Sequence, residues 1–155
     1  MASSSLNKNI ALLTKLESYI ELHQKQNDTI SGETVGWHIV HSCQVINTIT
    51  NAIIHSDPSK AKPKFSFLYH LIMLTNHIPR GKLKAPKIVI PKNTITKAEI
   101  VEQIELSKAN LQTLASTHQN KYFTHPIFGD LNVPKTLRLF IVHTNHHLKI
   151  IRDIH

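Results

Sequence analysis

A run of twenty residues without a charged side chain most limits the folds open to this chain. The segment 35–54 contains no Asp, Glu, Lys or Arg. Its length and apolar content predict a helix that is buried over most of its surface. Gln44, Asn47, Asn51, three hydroxyl residues and two histidines interrupt the run. These polar groups disfavour a membrane span and favour a buried helix of a bundle.

Helical spacing of apolar residues recurs in four other parts of the chain. Thr96-Lys97-Ala98-Glu99 has the spacing of a capping box and predicts the start of the fourth helix, while Pro134 suits the first residue of the fifth. No sustained strand alternation is present, so we predict an all-α four-helix bundle with long loops, built from four long helices and one shorter piece. The predicted helices are approximately 6–26, 34–57, 65–77, 97–118 and 134 onward.

Two long connections separate these helices. The first, residues 78–94, carries four proline or glycine residues, and its only short extended candidate is the segment 87–90. The second spans 119–133. Long loops in compact domains are often functional.

Composition is that of one globular domain. The chain has 155 residues, 41% of them apolar and only four of them glycine, which predicts a single domain over residues 1–155. Cys43 is the lone cysteine and cannot form an internal disulfide. No basic segment followed by an apolar run begins the sequence, so we expect a cytoplasmic protein without a membrane partner.

The net charge of +8 raises the question of an anionic partner. Eight basic residues lie in two proline-containing segments with little aromatic interleaving for base stacking. We therefore disfavour nucleic-acid binding relative to a solvated surface or a basic rim around a pocket. The eight residues are Lys60, Lys62, Lys64, Arg80, Lys82, Lys84, Lys87 and Lys92.

Two of the twelve histidines lie four residues apart in the last predicted helix. His143 and His147 therefore point to the same side, one turn apart. That side is otherwise apolar and the opposite side is polar, so both histidines are predicted to face the core. The apolar set is Leu139, Phe140, Ile150, Ile151 and Ile154, and the polar set is Arg138, Asn145, Lys149 and Arg152.

Two buried imidazoles need polar partners, because an unpaired buried polar group costs roughly 1–3 kcal/mol. One metal ion would satisfy both, since zinc, nickel and iron accept neutral imidazole nitrogen. A third ligand is then required, and the second helix offers His38 and His41. The alternative is that His143 and His147 are hydrogen-bonded core histidines and that His38 packs beside Trp37. Residue spacing alone leaves these alternatives open.

Four motifs occur in order from Val35 onward. They are Val35-Gly36-Trp37-His38-Ile39-Val40-His41, Arg80-Gly81-Lys82-Leu83-Lys84-Ala85-Pro86, His125-Pro126-Ile127-Phe128-Gly129-Asp130-Leu131 and His143-Thr144-Asn145-His146-His147. Together they resemble the DinB-like or YfiT-like superfamily of metal-dependent proteins, in particular a subfamily of unknown function. The resemblance implies an up-down-down-up bundle in which one histidine of the second helix and an HxxxH pair of the last helix hold a metal.

By position, the resemblance makes His41, His143 and His147 the ligands of one divalent transition metal, zinc, nickel or iron. His38 then supports the site or the packing without binding the ion. One departure is the segment 148–150, Leu-Lys-Ile, where many relatives have Arg-Gly-Gln. No role of that tripeptide is carried over to this chain.

Three protein ligands leave a coordination position for water or substrate. Relatives include thiol transferases and an isomerase that use low-molecular-weight thiols, so the resemblance implies a metal-dependent thiol transferase or hydrolase acting on a small molecule, with such a thiol as a second cofactor. The alternatives are a metal-binding or stress-related bundle without turnover and, less favoured, a basic nucleic-acid-associated protein. A homodimer is also left open.

The basic loop suggests where an anionic substrate would bind. Arg80, Lys82 and Lys84 are predicted to contact the carboxylates of a small thiol, with a solvated surface as the alternative. Asp130 is the only carboxylate in the four motifs, so no catalytic base is assigned. Cys43 is predicted to be a packed core cysteine.

Overall fold

The structure, a computed structural model, describes residues 2–81, 87–91 and 94–155. Within them the chain forms five α-helices and one two-stranded antiparallel sheet. The helices are α1 (Ala2–Glu17), α2 (Val35–Ile54), α3 (Phe67–Thr75), α4 (Lys97–Ser116) and α5 (Val133–Ile154), and the strands are β1 (Tyr122–His125) and β2 (Gly129–Asn132).

Side-chain caps begin four of these helices. In each, an oxygen of the residue before the helix accepts a hydrogen bond from a backbone N–H in the first turn, which satisfies one otherwise unpaired donor. Thr96 does this for α4, as the capping motif predicted, and Pro134 lies in the first turn of α5. The capping residues are Thr34, Ser66, Thr96 and Asn132.

The four long helices share one apolar core. α1 packs against α4 and α5, and α2 packs against the same two helices. The charge-free α2 buries more than half of its residues, as its composition predicted. Fully buried residues of the core include Leu13 and Leu16 of α1, Ile39 and Ile46 of α2, Ile104 and Leu111 of α4, and Phe140 and Ile151 of α5.

A second, smaller core lies on another side of α5. There Tyr69 and Ile72 of α3 pack with Phe128 of the hairpin and with Leu139 and Val142 of α5. The ring of Tyr69 contacts that of Phe128 at a centroid distance of 5.7 Å. α3 and the hairpin are therefore attached to α5 rather than inserted among the long helices.

Polar residues of α2 are matched by polar residues of α4. The Asn47 side-chain oxygen accepts hydrogen bonds from the Ser107 hydroxyl at 3.0 Å and from the Asn110 amide at 2.9 Å. The Asn47 amide donates to the Gln103 side-chain oxygen at 3.1 Å. Asn47, one of the polar residues that interrupt the apolar run, thus joins α2 to α4 through hydrogen bonds.

Three sequence expectations were wrong in detail. The first helix ends at Glu17 and is followed by a separate 3-10 turn at Ile20–Leu22, because the Ser18 hydroxyl bonds to the Lys15 carbonyl and competes with the helical backbone. The segment predicted as a possible strand is a 3-10 turn at Lys87–Val89. The connection 119–133 contains the hairpin, whose strands of four residues are too short for a clear alternation signal, so the fold is not purely helical.

Within the described ranges, no helix combines the length and the apolar content needed to cross a bilayer.

The start of α2 lies in close contact with the preceding turn. The backbone N–H of Gly36 donates to the His23 carbonyl at 2.8 Å, and that of Val35 donates to the Lys25 carbonyl at 2.9 Å. A Cβ atom at Gly36 would lie 2.9 Å from the His23 carbonyl oxygen and 3.2 Å from the His23 Cβ. Only glycine therefore fits at this position without a backbone shift.

We expect Gly36→Ala to lower the free energy of unfolding by about 1–3 kcal/mol, because the added methyl group overpacks a backbone contact. Gly32→Ala is the matched control, since a Cβ at Gly32 meets no atom within 4 Å. Urea denaturation of both variants measures the difference. Equal stability of the two variants would contradict the close contact.

Candidate metal centre

Three histidines from two helices meet where α2 faces α5. His41 projects from α2, and His143 and His147 project from consecutive turns of α5. One ring nitrogen from each lies within 4.8 Å of the other two, close enough for one metal ion. The ring centroids are 4.6 Å apart for His143 and His147, 4.8 Å for His41 and His147, and 5.2 Å for His41 and His143.

The distance between the two α5 histidines fits a coordination sphere. Their Nε2 atoms lie 3.3 Å apart. Two imidazole nitrogens bound tetrahedrally at about 2.0–2.1 Å from zinc would be separated by about 3.3–3.4 Å. The pair on α5 therefore already has the separation that two zinc ligands require.

The backbone of the loop before α4 orients His41. The Nδ1 of His41 lies 2.6 Å from the Val89 carbonyl oxygen, and a carbonyl can only accept, so Nδ1–H is the donor. The lone pair of neutral His41 is then on Nε2. Trp37 stacks on the ring of His41, with the two ring centroids 4.8 Å apart and the planes inclined by 17°.

His38 hydrogen-bonds to a member of the triad. Its Nδ1 lies 2.9 Å from Nδ1 of His147, and its Nε2 lies 3.0 Å from the Ser31 hydroxyl. If His38 donates to Ser31 from Nε2, its Nδ1 accepts the Nδ1–H of His147. That direction leaves Nε2 of His147 unprotonated, as metal coordination through this atom requires. His38 thus lies behind His147 instead of joining the triad.

Burial keeps these imidazoles neutral. Desolvation lowers the pKa of His41, and it lowers the pKa of His143 and of His147 well below the ordinary value. Burial, with smaller effects of neighbouring positive charge, lowers the pKa of His38 to about 3. The neutral form carries the nitrogen lone pair that binds metal, so the triad is in its ligand form at neutral pH.

The triad is enclosed but not sealed. His41 and His147 are 4% and 7% exposed, whereas His143 is only partly buried. Of the residues that the sequence proposed for this centre, His41, His143 and His147 come together, and His38 lies directly behind them.

The residues predicted to bind an anion are only partly described. Lys82 and Lys84 lie outside the described residues. Arg80 donates to Asp153 at 2.6 Å on the surface, so one of its nitrogens is engaged by a carboxylate. Burial lowers the pKa of His38 and of His146, and the positive charge of Arg80 adds a smaller effect in the same direction.

Asp130 and Cys43, the other two residues considered from the sequence, both support the fold. The carboxylate of Asp130 accepts hydrogen bonds from the Thr124 hydroxyl and the Lys62 backbone, so it supports the hairpin. Cys43 is fully buried, and burial raises the pKa of its thiol to about 12. The prediction of a packed core cysteine is confirmed.

Sequence reasoning missed Val89 and Ser31. Val89 contacts His41 through its backbone carbonyl, which any residue could supply. Ser31 contacts His38 through its hydroxyl, which other small polar residues could supply. No spacing pattern identifies such partners.

No protein-family model, curated protein or solved structure matches this chain.

We expect metal-free His41 to carry its proton on Nδ1, because the Val89 carbonyl offers only an acceptor at that position. Long-range nitrogen–proton NMR spectra of the histidine rings distinguish the two neutral tautomers. His55, which is exposed and directly follows the C-terminal end of α2, provides a comparison. An Nε2–H tautomer of His41 at neutral pH would refute the assignment.

Proposed function

We propose that the protein binds one divalent transition metal ion through His41, His143 and His147. The main support for this proposal is that one ring nitrogen from each of the three histidines, which come from two helices, lies within 4.8 Å of the other two. The alternative left open by the sequence is that these are core histidines held by hydrogen bonds. Such histidines would need contacts in pairs only, and not the approach of three ring nitrogens to one point. Metal-binding imidazoles commonly donate their other N–H to a neighbouring acceptor. His41 has such an acceptor in the Val89 carbonyl, and His147 has one in His38, which supports a role of both as metal ligands.

The ligand set favours a borderline ion. Three imidazoles suit zinc, nickel or iron better than magnesium or calcium, which prefer oxygen ligands. The resemblance to the DinB-like superfamily supports the same ligand set and an up-down-down-up four-helix bundle, which remains part of this proposal. α1, α2, α4 and α5 would be the four helices, with α3 and the hairpin as additions.

We further propose that the centre acts on a small molecule. Three protein ligands leave a coordination position, and a metal ion bound there would lower the pKa of a thiol or of water. Arg80 has further guanidinium donors besides the one that contacts Asp153, and these would meet an anionic group of the substrate. Thiol transfer agrees better with the site than hydrolysis, because none of the hydrogen-bond partners described for these histidines is a carboxylate base.

A metal-binding role without turnover is the second candidate. The absence of a carboxylate partner favours it as well, since the described residues around the triad offer only imidazole, hydroxyl and carbonyl groups. Consumption of a small thiol and an electrophile by the metal-loaded protein would separate the two candidates.

Removal of one ligand should abolish stoichiometric metal binding. We expect wild-type protein to bind one equivalent of zinc, nickel or iron and His143→Ala to retain none after gel filtration, because two histidines form a weak site. The single tryptophan, Trp37, stacks on His41, so cobalt or nickel should quench its fluorescence in wild-type protein only.

His55→Ala is the matched control, since His55 is exposed and, within the described part of the chain, its ring bonds only to the carbonyl of Asn51 in α2. It should bind metal as wild-type protein does. Elemental analysis and fluorescence titration together measure the result. Wild-type protein that stays metal-free with all three ions in excess would refute the proposal.

His38 should raise the metal affinity of the site without binding the ion itself. We expect His38→Leu to weaken zinc affinity about 10–100-fold, the usual effect of removing a hydrogen-bond partner of a ligand. His41→Ala should abolish binding instead. Competition with a chelator measures both affinities, and equal loss in the two variants would show that His38 binds the ion directly.

A further inference from the structure

The outer face of α3 is apolar although it is exposed. Helix α3 buries only Tyr69 and Ile72, against the hairpin and α5. Phe67 and Leu74 are 71% and 81% exposed, and Leu71 between them is 43% exposed. Residues 67, 71 and 74 lie on one face of a helix. Phe65, just before the helix, is 78% exposed and extends the same apolar surface along the chain.

The chain around this helix is strongly basic. Between Pro58 and Ala98 the sequence contains nine of the 18 basic residues and none of the ten acidic ones. Lys62 and Lys64 directly precede Phe65, and both side chains are exposed. Helix α3 itself has no charged residue. The segment that carries the exposed apolar residues therefore contributes positive charge only, and one carboxylate from outside it, Asp130 of the hairpin, accepts a hydrogen bond from the Lys62 backbone.

The combination of apolar side chains and positive charge indicates which kind of partner would bind this face of α3. A second copy of the chain docked by the same face would bring like charges together, which disfavours self-association. Phe65, Phe67 and Leu74 project from the surface instead of lining a groove, so a partner protein would have to supply a matching cavity. The acyl boundary of a bilayer accepts projecting apolar groups of any shape, and anionic headgroups match the lysines.

We propose that α3, with Phe65, Phe67, Leu71 and Leu74 as its apolar contacts and Lys62 and Lys64 beside them, docks the protein on an anionic membrane surface. The helix would lie in the plane of the interface, as interfacial helices with a basic border do. The sequence alone predicted no membrane partner, whereas the exposed apolar face of α3 favours one. The inference does not depend on the proposed metal centre.

Flotation with lipid vesicles tests the docking. Vesicles of phosphatidylcholine containing one third phosphatidylserine should carry wild-type protein to the top of a density gradient, and vesicles of phosphatidylcholine alone should carry little. We expect Phe67→Ser with Leu74→Ser to reduce binding to the anionic vesicles by about tenfold or more, because two large apolar contacts with the acyl boundary are lost. Both residues are exposed, so the variant should fold.

A matched apolar control comes from α4. Val101→Ser with Leu106→Ser removes two apolar side chains that are 45% and 46% exposed on another helix. Vesicle binding of this variant should equal that of wild-type protein. Circular dichroism and the unfolding transition verify that both double variants are folded.

The charge contribution is tested separately. Lys62→Gln with Lys64→Gln should weaken binding by about fivefold for each lysine. Lys8→Gln with Lys15→Gln removes two exposed lysines from α1 with the same change in net charge, and it should have little effect.

Three results would overturn the proposal. The first is no flotation with anionic vesicles. The second is equal weakening by both lysine pairs with no effect of the α3 serines, which would indicate nonspecific attraction of a basic protein. The third is a concentration-dependent oligomer that the α3 serines dissociate, which would make this face a protein interface. Metal analysis of the same samples keeps failure of docking distinct from failure of the proposed centre.

Discussion

Burial of neutral imidazoles between α2 and α5 is the constraint on which the candidate centre depends. Their described hydrogen-bond partners are a carbonyl, a hydroxyl and other imidazoles, none of which carries a negative charge. Desolvation therefore dominates, and the pKa values fall. A dication held by three neutral ligands would keep its full charge. An anion such as a thiolate would be the favoured ligand at the remaining position.

The helices and the triad were largely predictable from sequence, because both depend on local periodicity. The i, i+4 spacing places His143 and His147 on the face of α5 that also carries the buried Phe140 and Ile151. A charge-free helix must pack on several sides, which brought His38 and His41 of α2 into consideration. Spacing alone could not choose between them, since both are buried beside α5, and the resemblance selected the one that joins the triad.

Contacts that join distant segments were not predictable. The Val89 carbonyl reaches His41 across 48 residues of sequence, and a backbone carbonyl carries no residue signature. The hairpin was missed because its paired strands are four residues long. For α3, apolar content predicted a helix, but periodicity says nothing about which neighbours cover it. Only the structure shows that its larger part is uncovered.

The hydrogen-bonded contact between Asn47 and Ser107 has a consequence for the precision of the centre. Two helices in purely apolar contact can slide past one another by one turn with little change in buried area. Hydrogen-bonded side chains oppose such a slip, because it would separate each donor from its acceptor. A one-turn slip of α2 would move His41 by about 5.4 Å, while ligand distances tolerate only about 0.2 Å. The amide and hydroxyl groups midway along α2 and α4 thus fix the axial position of α2 relative to α4, and α1, which packs against both α4 and α5, connects that position to the helix that carries His143 and His147.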